Sequence, residues 1–413
     1  MICMDREAVG PAPGWEALRW ALREHRKALG RLERLRAYYE GQNPAILQKE
    51  RGSGQPNLRL PHPFGRYITL TASGYLTGRP IRYASPGQEE ALARLLRRFG
   101  RCALDSVDSE LSVNASVYGK GVERVYLDEE GAPRSVSLSP LEAFVVYDDT
   151  VAHQPLFGVT LIPKAGPDGA GEGTLIEVLT ADAVFTWTAS GRDPATARMI
   201  AESPHPFRET PLIEYWNNFD EAGDFEGVLP LIDGYDLLQS DRLNDKEQFA
   251  DSLLVLTGCQ LGETFHTRRR VAEDGTLVEE RVPDEDPAAR LRRDRCLSLP
   301  DSDASAQYLT HTLHEADTEV LRAALREDIH KFSFIPDLSD RSFSQNASGV
   351  AIRYKLMGLE QLASVKERWF REALRARLRL YAAWLEAAED IRLDAEQVEI
   401  RFERALITGE EEG

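Results

Sequence analysis

Apolar residues recur at helical spacing near both ends of this chain and alternate at strand spacing in much of its middle. Near the N-terminus, Leu18, Leu22 and Leu32 mark one face of a helix expected over residues 15–39, and Gly41 is placed to end it. Arginine and lysine fill the other face. The pattern predicts an amphipathic helix whose basic face is either a solvated surface or a contact for a partner.

Short helix and strand patterns follow between residues 67 and 216. A helix is expected over residues 92–99, and Asp128-Glu-Glu-Gly131 has the composition of a hairpin turn. Runs rich in β-branched and aromatic residues predict strands at 121–127, 143–147, 174–179 and 183–187. This order of elements predicts the α+β class, with an antiparallel sheet.

Two further helices bracket a segment of weak periodicity. The first is expected over residues 231–252 and the second over residues 317–332, before Pro336 breaks the pattern. Leu253–Thr257 is a strand candidate that opens the intervening segment, which reaches residue 313. Helix, small insertion and returning helix predict an antiparallel pair that carries a tip domain.

The longest helical pattern covers residues 350–386, after a polar loop, with Asn346 or Ser348 as N-cap. About 36 helical residues span ~54 Å. Two apolar stripes on this helix predict contacts on two sides, one of them with a neighbouring subunit. The residues expected in that subunit contact are Tyr354, Leu362, Trp369, Leu380 and Trp384. The alternating run Val398–Phe402 predicts a strand that returns to an earlier sheet.

Composition narrows the class of protein. The chain has 413 residues, 42% of them hydrophobic and 29% charged, which is typical of a soluble protein with two or three structural units. Its net charge of −18 disfavours tight binding of nucleic acid but suits a surface past which DNA moves. No apolar run is long enough to span a membrane.

Motifs for chemistry are absent from the sequence. Gly119-Lys-Gly121 runs into a strand pattern and is no phosphate-binding loop, and the histidines form no HExxH motif. His311 and His314 are the nearest histidine pair, at a helix start. The four cysteines are Cys3, Cys102, Cys259 and Cys296, without metal-ligand spacing, as expected in a reducing cytoplasm. We expect no enzyme, no cofactor and no metal site.

Two groups of acidic residues are candidate ligands for a metal ion. Asp220, Asp224 and Glu226 surround Gly223, and Asp148-Asp149 follow a predicted strand. Paired carboxylates bind Mg²⁺ or Ca²⁺, but a solvated loop explains both groups more simply.

The densest basic feature is the arginine cluster Arg268–Arg270 with Arg290, Arg292, Arg293 and Arg295. The acidic run Asp284–Asp286 dilutes it. Two roles stay open for this arginine cluster, which are salt bridges between subunits and contacts to phosphate groups.

Several short sequence segments resemble those of the portal proteins of long-tailed siphophages, in particular the subfamily known from Bacillus phages. Together they span nearly the whole chain in the family's order. The segments are Tyr38–Gly41, Gly74–Ile81, Tyr118–Glu123, Tyr215–Asn218, Gly223–Glu226, Asp233–Tyr235, Asn244-Asp245, Phe334–Asp337, Ser339-Asp340, Phe343, Asn346–Val350 and Lys355–Glu360.

The resemblance implies a ring, usually of twelve subunits, at one capsid vertex, through which terminase pumps DNA. It divides the fold into an α/β wing, a two-helix stem, a small clip, a long central helix and a crown, which is expected to be reduced or absent here. A naturally short crown and a shortened sequence both stay open, since the sequence stops about ten residues after Phe402. The implied ranges are wing 1–230, stem helices 231–252 and 314–334, clip 253–313, tunnel loop 335–349, long helix 350–386, and final wing strand with tail 387–413.

The resemblance also implies which residues meet which partner. The clip arginines Arg290, Arg292, Arg293 and Arg295 become candidates for contact with the terminase large subunit or a head-completion adaptor. Capsid and scaffolding proteins are further implied partners, and double-stranded DNA is expected to pass without sequence-specific contacts. The implied location of the protein is the portal vertex of a virion that is assembled in the host cytoplasm. The residues implied to line the channel are Asp340, Arg341, Ser342, Phe343, Ser344, Gln345 and Asn346.

Two other classes of function stay open. Another head-to-tail or minor capsid protein would share the absence of catalysis, and ring stoichiometry separates it, because a closed ring near twelve subunits with a DNA-wide channel belongs to a portal. A metal-dependent nuclease would stay monomeric and cut DNA with Mg²⁺.

Overall fold

A computed structural model gives the fold of the chain. It describes residues 1–10, 13–50, 52, 56–165, 171–189, 197–249, 253–257, 265–271, 277–283, 305–309, 315–339 and 349–404. The chain forms two compact units. The first contains Met1–Lys49, Arg59–Leu238 and Val320–Gly413, and the second contains Glu50–Leu58 and Gln239–Glu319.

Helices occur at both ends of the described chain and around its sheets. They are α1 (Arg6–Val9), α2 (Trp15–Tyr39), α3 (Pro44–Leu47), α4 (Phe64–Thr77), α5 (Glu89–Arg101), α6 (Leu104–Tyr118), α7 (Leu229–Phe249), α8 (Glu315–Phe332), α9 (Gly349–Lys355) and α10 (Met357–Glu389). None of these helices has the length and apolar composition needed to cross a membrane.

The strands of the described chain form small sheets and pairs. They are β1 (Ile2–Met4), β2 (Arg82–Ala84), β3 (Lys120–Leu127), β4 (Pro133–Leu138), β5 (Ala143–Asp148), β6 (Pro155–Ala165), β7 (Gly171–Leu179), β8 (Ala183–Ala189), β9 (Arg198–Pro204), β10 (Leu212–Trp216), β11 (Leu253–Thr257), β12 (Phe265–Val271), β13 (Leu277–Pro283), β14 (Ser305–Leu309) and β15 (Glu399–Arg401). The mixture of helix and strand confirms the α+β class.

The largest sheet has the order β1-β5-β6-β7-β8-β9, and a second has the order β10-β3-β4. All neighbours in these sheets are antiparallel except β1 and β5. The strand predicted near Phe402 is confirmed as β15, which pairs with β2. The predicted hairpin turn between β3 and β4 is also confirmed, since the amide of Gly131 donates to the carbonyl of Asp128 at 2.9 Å.

The first half of α2 covers one face of the large sheet. Leu18 and Leu22 are buried there against Phe157, and His25 stacks on Phe144 with 4.3 Å between ring centroids. The helix ends as its sequence predicts. Gly41 has a φ of 75°, and the neighbouring amides return to carbonyls of the last turn.

Strand β10 packs the two larger sheets together. The Glu214 carboxylate accepts hydrogen bonds from the Val145 amide at 3.1 Å and from the Tyr147 hydroxyl at 3.2 Å. It also pairs with Lys120 at 2.9 Å. A Cβ atom at Gly158 would lie 2.6 Å from the Leu212 side chain, so the close approach of the sheets requires glycine there.

Helix α10 runs through the core of the first unit. The helix predicted over residues 350–386 is interrupted at Leu356, which turns towards the core and separates α9 from α10. The N-cap candidates Asn346 and Ser348 lie outside the described residues.

One part of the predicted subunit contact needs correction. Leu380 and Trp384 are only 1% and 5% exposed, and the Trp384 indole donates to the Gly131 carbonyl at 2.8 Å. Both residues belong to the core of their own chain, so neither is available to a neighbouring subunit. Tyr354 remains 74% exposed, whereas Leu362 and Trp369 are half-buried.

A buried ion cluster fixes α10 to the rest of the first unit. The Arg377 guanidinium pairs with Asp108 of α6 at 2.6 Å and with Glu123 of β3 at 2.8 Å. The Tyr215 hydroxyl of β10 donates to Glu123 at 2.5 Å. These side chains are at most 5% exposed, and so four elements meet at a single guanidinium.

A second buried pair corrects the interpretation of Asp224 as part of a solvated loop. The Asp224 carboxylate pairs with Lys366 of α10 and accepts from Ser116 at 2.5 Å and from Asn217 at 2.7 Å. The side chains of Asp224 and Lys366 are 1% and 3% exposed. Position 366 faces the core, so its lysine needs a buried anion.

Two more acidic residues of these groups, Glu226 and Asp148, are also structural, whereas Asp149 and Asp220 are exposed. Glu226 forms a 2.5 Å ion pair with Arg31 of α2, and Asp148 is buried, with Thr150 and Gln154 as hydrogen-bond donors. Among the described residues, no group of three or more possible ligands could hold a metal ion.

Helices α7 and α8 form an antiparallel pair, as the sequence predicts. In the second unit, Arg242 pairs with Glu319 at 3.1 Å and Lys246 pairs with Glu315 at 2.8 Å. That unit also contains the antiparallel pairs β11–β14 and β12–β13. Asn244 holds the segment before α4 through two hydrogen bonds to the backbone of Leu58.

The cluster around Arg377 predicts a large loss of stability on Arg377→Met. Removing the cation leaves Asp108 and Glu123 buried without compensation, which costs ~3–5 kcal/mol of unfolding free energy. Urea unfolding followed by tryptophan fluorescence measures it. The matched control is Arg392→Met, whose side chain is 87% exposed and pairs with Glu386, and which should cost less than about 1 kcal/mol. Equal losses in the two variants would contradict the role of the cluster.

The same cluster predicts a pH dependence. Burial raises the pKa of Asp108 to about 6, against the lowering effect of Arg377. The folded state therefore binds a proton that the unfolded state releases near its ordinary pKa of 3.8. The stabilisation is complete below that value and is lost as pH rises through about 6.

The unfolding free energy should therefore fall by about 2–3 kcal/mol between pH 4 and pH 7. Asp108→Asn should remove this part of the pH profile of unfolding, and Glu110→Gln, on the exposed side of the same helix, should keep it. A profile for Asp108→Asn that matches the wild type would rule the assignment out.

Candidate functional site

The predicted channel-lining residues Asp340–Asn346 lie outside the described residues, but both flanks of this loop are described. One flank is residues 333–339, directly after α8, and the other begins with α9 at Gly349. The two flanks lie together in the first unit. A Cβ atom at Gly358, near the start of α10, would be 3.5 Å from the carbonyl oxygen of Phe334. The base of the loop is therefore the candidate functional site.

The chain turns sharply where α8 ends. The amide of Ser333 still donates to the carbonyl of Ile329 at 3.1 Å, but Phe334 has a φ of 60°, in the left-handed region. That conformation costs a non-glycine residue roughly 1–2 kcal/mol. The next residue, Ile335, is 1% exposed, so core packing offsets this cost and fixes the direction of the chain.

Tyr67 of α4 holds the flank after Ile335. Its hydroxyl donates to the Pro336 carbonyl at 2.8 Å and accepts from the Leu338 amide at 3.1 Å. Its ring meets the His330 ring edge-on, with centroids 5.6 Å apart. Burial raises the pKa of Tyr67, so the hydroxyl keeps its proton. One side chain thus satisfies two backbone groups across the turn.

Asp337 closes the turn from the other side. Its carboxylate accepts from the Ser339 amide at 3.0 Å and from the Ser339 hydroxyl at 2.5 Å. Arg326 lies 3.5 Å and His330 3.8 Å from the same carboxylate. Burial raises the pKa of Asp337, but the Ser339 hydrogen bonds and these basic groups outweigh it, so the pKa is lowered. Asp337 therefore stays an anion at neutral pH.

Helix α4 also holds the second flank, one turn into α10. The Tyr75 hydroxyl donates to Glu360 at 2.6 Å, and Arg404 pairs with the same carboxylate at 3.1 Å. Tyr67 and Tyr75 lie eight residues apart on α4, two turns along one face. A single helix therefore fixes both ends of the loop. This arrangement positions a loop.

Most of the other predicted contact residues are not described. Arg290, Arg292, Arg293 and Arg295 lie outside the described residues, as do His311 and His314. The described part of the arginine cluster is Arg268–Arg270 on β12, which is exposed. Arg269 pairs with Glu279 of β13 at 2.8 Å.

The residues that hold the site were not predicted from the sequence pattern. Lys366 and Arg377 carried a signal, because each lies at a core position between apolar neighbours of α10. Tyr67 carried none, because its partners are backbone groups nearly 270 residues away.

Comparison with known proteins gives distant relatives. The portal protein of Bacillus phage SPP1 is 21% identical over 374 residues, or 85% of this chain and 66% of that protein. The chain thus spans just under two thirds of the length of this curated relative. A chain in the neck of an empty gene transfer agent particle computed with C6 symmetry is 13% identical, with a TM-score of 0.41, 84% of this chain and 82% of that chain being covered.

A chain in the virion of a native gene transfer agent particle is 12% identical, with a TM-score of 0.39, 92% of this chain and 85% of that chain being covered. The family model for SPP1 Gp6-like phage portal proteins matches residues 18–412. This is a family of structural, non-catalytic proteins, which agrees with the sequence prediction that the chain is not an enzyme. The chain therefore belongs to the SPP1 Gp6-like family of phage portal proteins.

Proposed function

We propose that this chain forms a closed ring at one vertex of a phage capsid, through which terminase packages DNA and the DNA later leaves. The observation that carries the proposal is the family match over residues 18–412. The ring is proposed to hold about twelve subunits, in a virion assembled in the host cytoplasm. Capsid, scaffolding and head-completion proteins are its proposed partners.

The proposed division of the chain follows the family's architecture. Residues 1–230 and 387–413 form the wing, α7 and α8 the stem, and residues 253–313 the clip. The antiparallel contacts of α7 with α8 support a stem of two helices. Contact of Arg290, Arg292, Arg293 and Arg295 with terminase or an adaptor stays a prediction.

Asp340–Asn346 are proposed to face the channel. The double anchorage of the loop by Tyr67 and Tyr75 supports this role, because a loop that meets moving DNA needs a fixed base. DNA would pass Ser342, Phe343, Ser344 and Gln345 without base readout. The net charge of −18 would keep this contact weak, since like charges repel.

Subunit contact is proposed at the outer face of α9 and the start of α10. Tyr354 and Met357 are 74% and 54% exposed there, and Val365 is 43% exposed. Apolar side chains of this size on one face favour a second subunit as their cover. Leu362 and Trp369 adjoin this face, with Trp369 packed against Trp216 at 5.4 Å between ring centroids.

Native mass spectrometry of the purified full-length protein tests the ring. We expect a closed oligomer near twelve subunits and no cleavage of DNA when Mg²⁺ is added. A monomer that cuts DNA with Mg²⁺ would favour a nuclease instead. A stable species far smaller than a ring, without cleavage, would favour another head-to-tail protein.

A packaging assay with purified terminase and procapsids tests the loop. Phe343→Ala with Ser344→Ala should lower the amount of packaged and retained DNA while leaving the ring intact. Tyr67→Phe should lower it too, since it releases both backbone groups of the turn at a cost of about 1–3 kcal/mol. Tyr126→Phe, 39% exposed on β3, is the matched control and should package like the wild type. Normal packaging by the loop variant would refute the channel assignment.

A further inference from the structure

The exposed face of α2 carries a stripe of four arginines, Arg19, Arg23, Arg26 and Arg34. At 100° per residue they fall within an arc of about 80°, and they extend over ~22 Å of helix. The opposite face of α2 is buried in the core, so the stripe is held on a rigid element. We call these four residues the arginine stripe.

These arginines differ from their neighbours on the same helix. Lys27 pairs with Glu24, Arg31 with Glu226 and Arg36 with Glu40, at 2.5 to 2.7 Å. Within the described part of the chain, no carboxylate forms an ion pair with an arginine of the stripe. In a chain of net charge −18, these four exposed arginines form a local positive patch that is available to an external anion.

The residues between the arginines decide which kind of anion fits. Gly30 and Ala37 are small, and Glu16 and Glu33 are the acidic residues beside the stripe. No large exposed apolar side chain stands among the arginines, and the aromatic neighbour of Arg34 is Tyr38, whose ring centroid lies 5.7 Å from the guanidinium and which is only 3% exposed. Protein interfaces, in contrast, are anchored by large exposed apolar and aromatic side chains. A regular row of guanidinium groups without apolar anchors suits phosphates, which arginine binds through paired hydrogen bonds.

We propose that the arginine stripe is a binding site for the phosphate backbone of double-stranded DNA, separate from the channel loop. Its length matches about six base pairs at 3.4 Å each. Binding there is independent of base sequence and sensitive to salt. The proposal rests on the proposed function only for the kind of nucleic acid, and it does not require DNA to pass through a ring.

Filter binding of relaxed, covalently closed circular DNA to the preassembled full-length protein tests the site. A circle has no end to enter a channel, so its binding reports the outer surface alone. The variant is R19Q/R23Q/R26Q/R34Q. The control is R82Q/R208Q/R392Q/R401Q, which changes the charge equally at exposed arginines that are already in ion pairs.

The wild-type protein should bind the circles at 50 mM salt, with log affinity falling against log salt by about 0.9 for each phosphate contact. The stripe variant should bind at least about 100-fold more weakly at that salt, because it loses four phosphate contacts. The control and the Phe343→Ala, Ser344→Ala loop variant should bind like the wild type. The result therefore does not depend on whether the loop lines a DNA channel.

Three results would overturn the proposal. The first is no binding by the wild-type protein, and the second is equal binding by the stripe variant. The third is an equal loss in the control, which would mean that net charge alone matters. If the stripe variant binds circles normally but native mass spectrometry finds that it no longer assembles, the stripe is a subunit contact instead.

Discussion

The buried guanidinium of Arg377 is the interaction on which the first unit depends. Two carboxylates, from α6 and β3, meet it at 2.6 and 2.8 Å, and the β10 hydroxyl of Tyr215 completes the cluster. Charges so deeply buried are tolerated only when each has its partner in place. The cluster therefore fixes one relative position of α10, α6 and the three-stranded sheet, where apolar packing alone would tolerate small shifts.

The positions of the two described flanks of the loop follow from that of α10. Helix α4 reaches α10 through Tyr75 and Glu360 and reaches the other flank of the loop through Tyr67. Lys366 and Asp224 add a second buried pair between α10 and the segment before α7. Both flanks of the loop thus rest on elements that the buried charges align.

The sequence predicted elements whose periodicity is simple. Helix α2 has the predicted bounds, and β11 covers the predicted residues 253–257, because one face of α2 is buried and β11 is a continuous apolar run. Helix α6 was not predicted, since Asp108, Ser112 and Ser116 lie among its buried residues and hide the apolar face. Strand β6 was missed because Gly158 and Pro163 interrupt its pattern.

The candidate site was only partly predictable. The position of the loop followed from the helix break at Pro336, but its anchorage depends on contacts between residues distant in sequence. Periodicity also cannot distinguish burial within one chain from burial between subunits, which is why Leu380 and Trp384 were wrongly assigned. A charged residue on an apolar stripe was the usable signal for Lys366 and Arg377.

Helix α10 is a strut within its own subunit, and we propose that it holds Asp340–Asn346 towards the axis of a ring. A cryo-electron microscopy reconstruction of the assembled protein, with side chains resolved, tests it most directly. The account predicts Arg377 between Asp108 and Glu123 of the same subunit and residues 340–346 at the narrowest part of the channel. A reconstruction with these loop residues away from the axis, or with Arg377 paired across subunits, would contradict it.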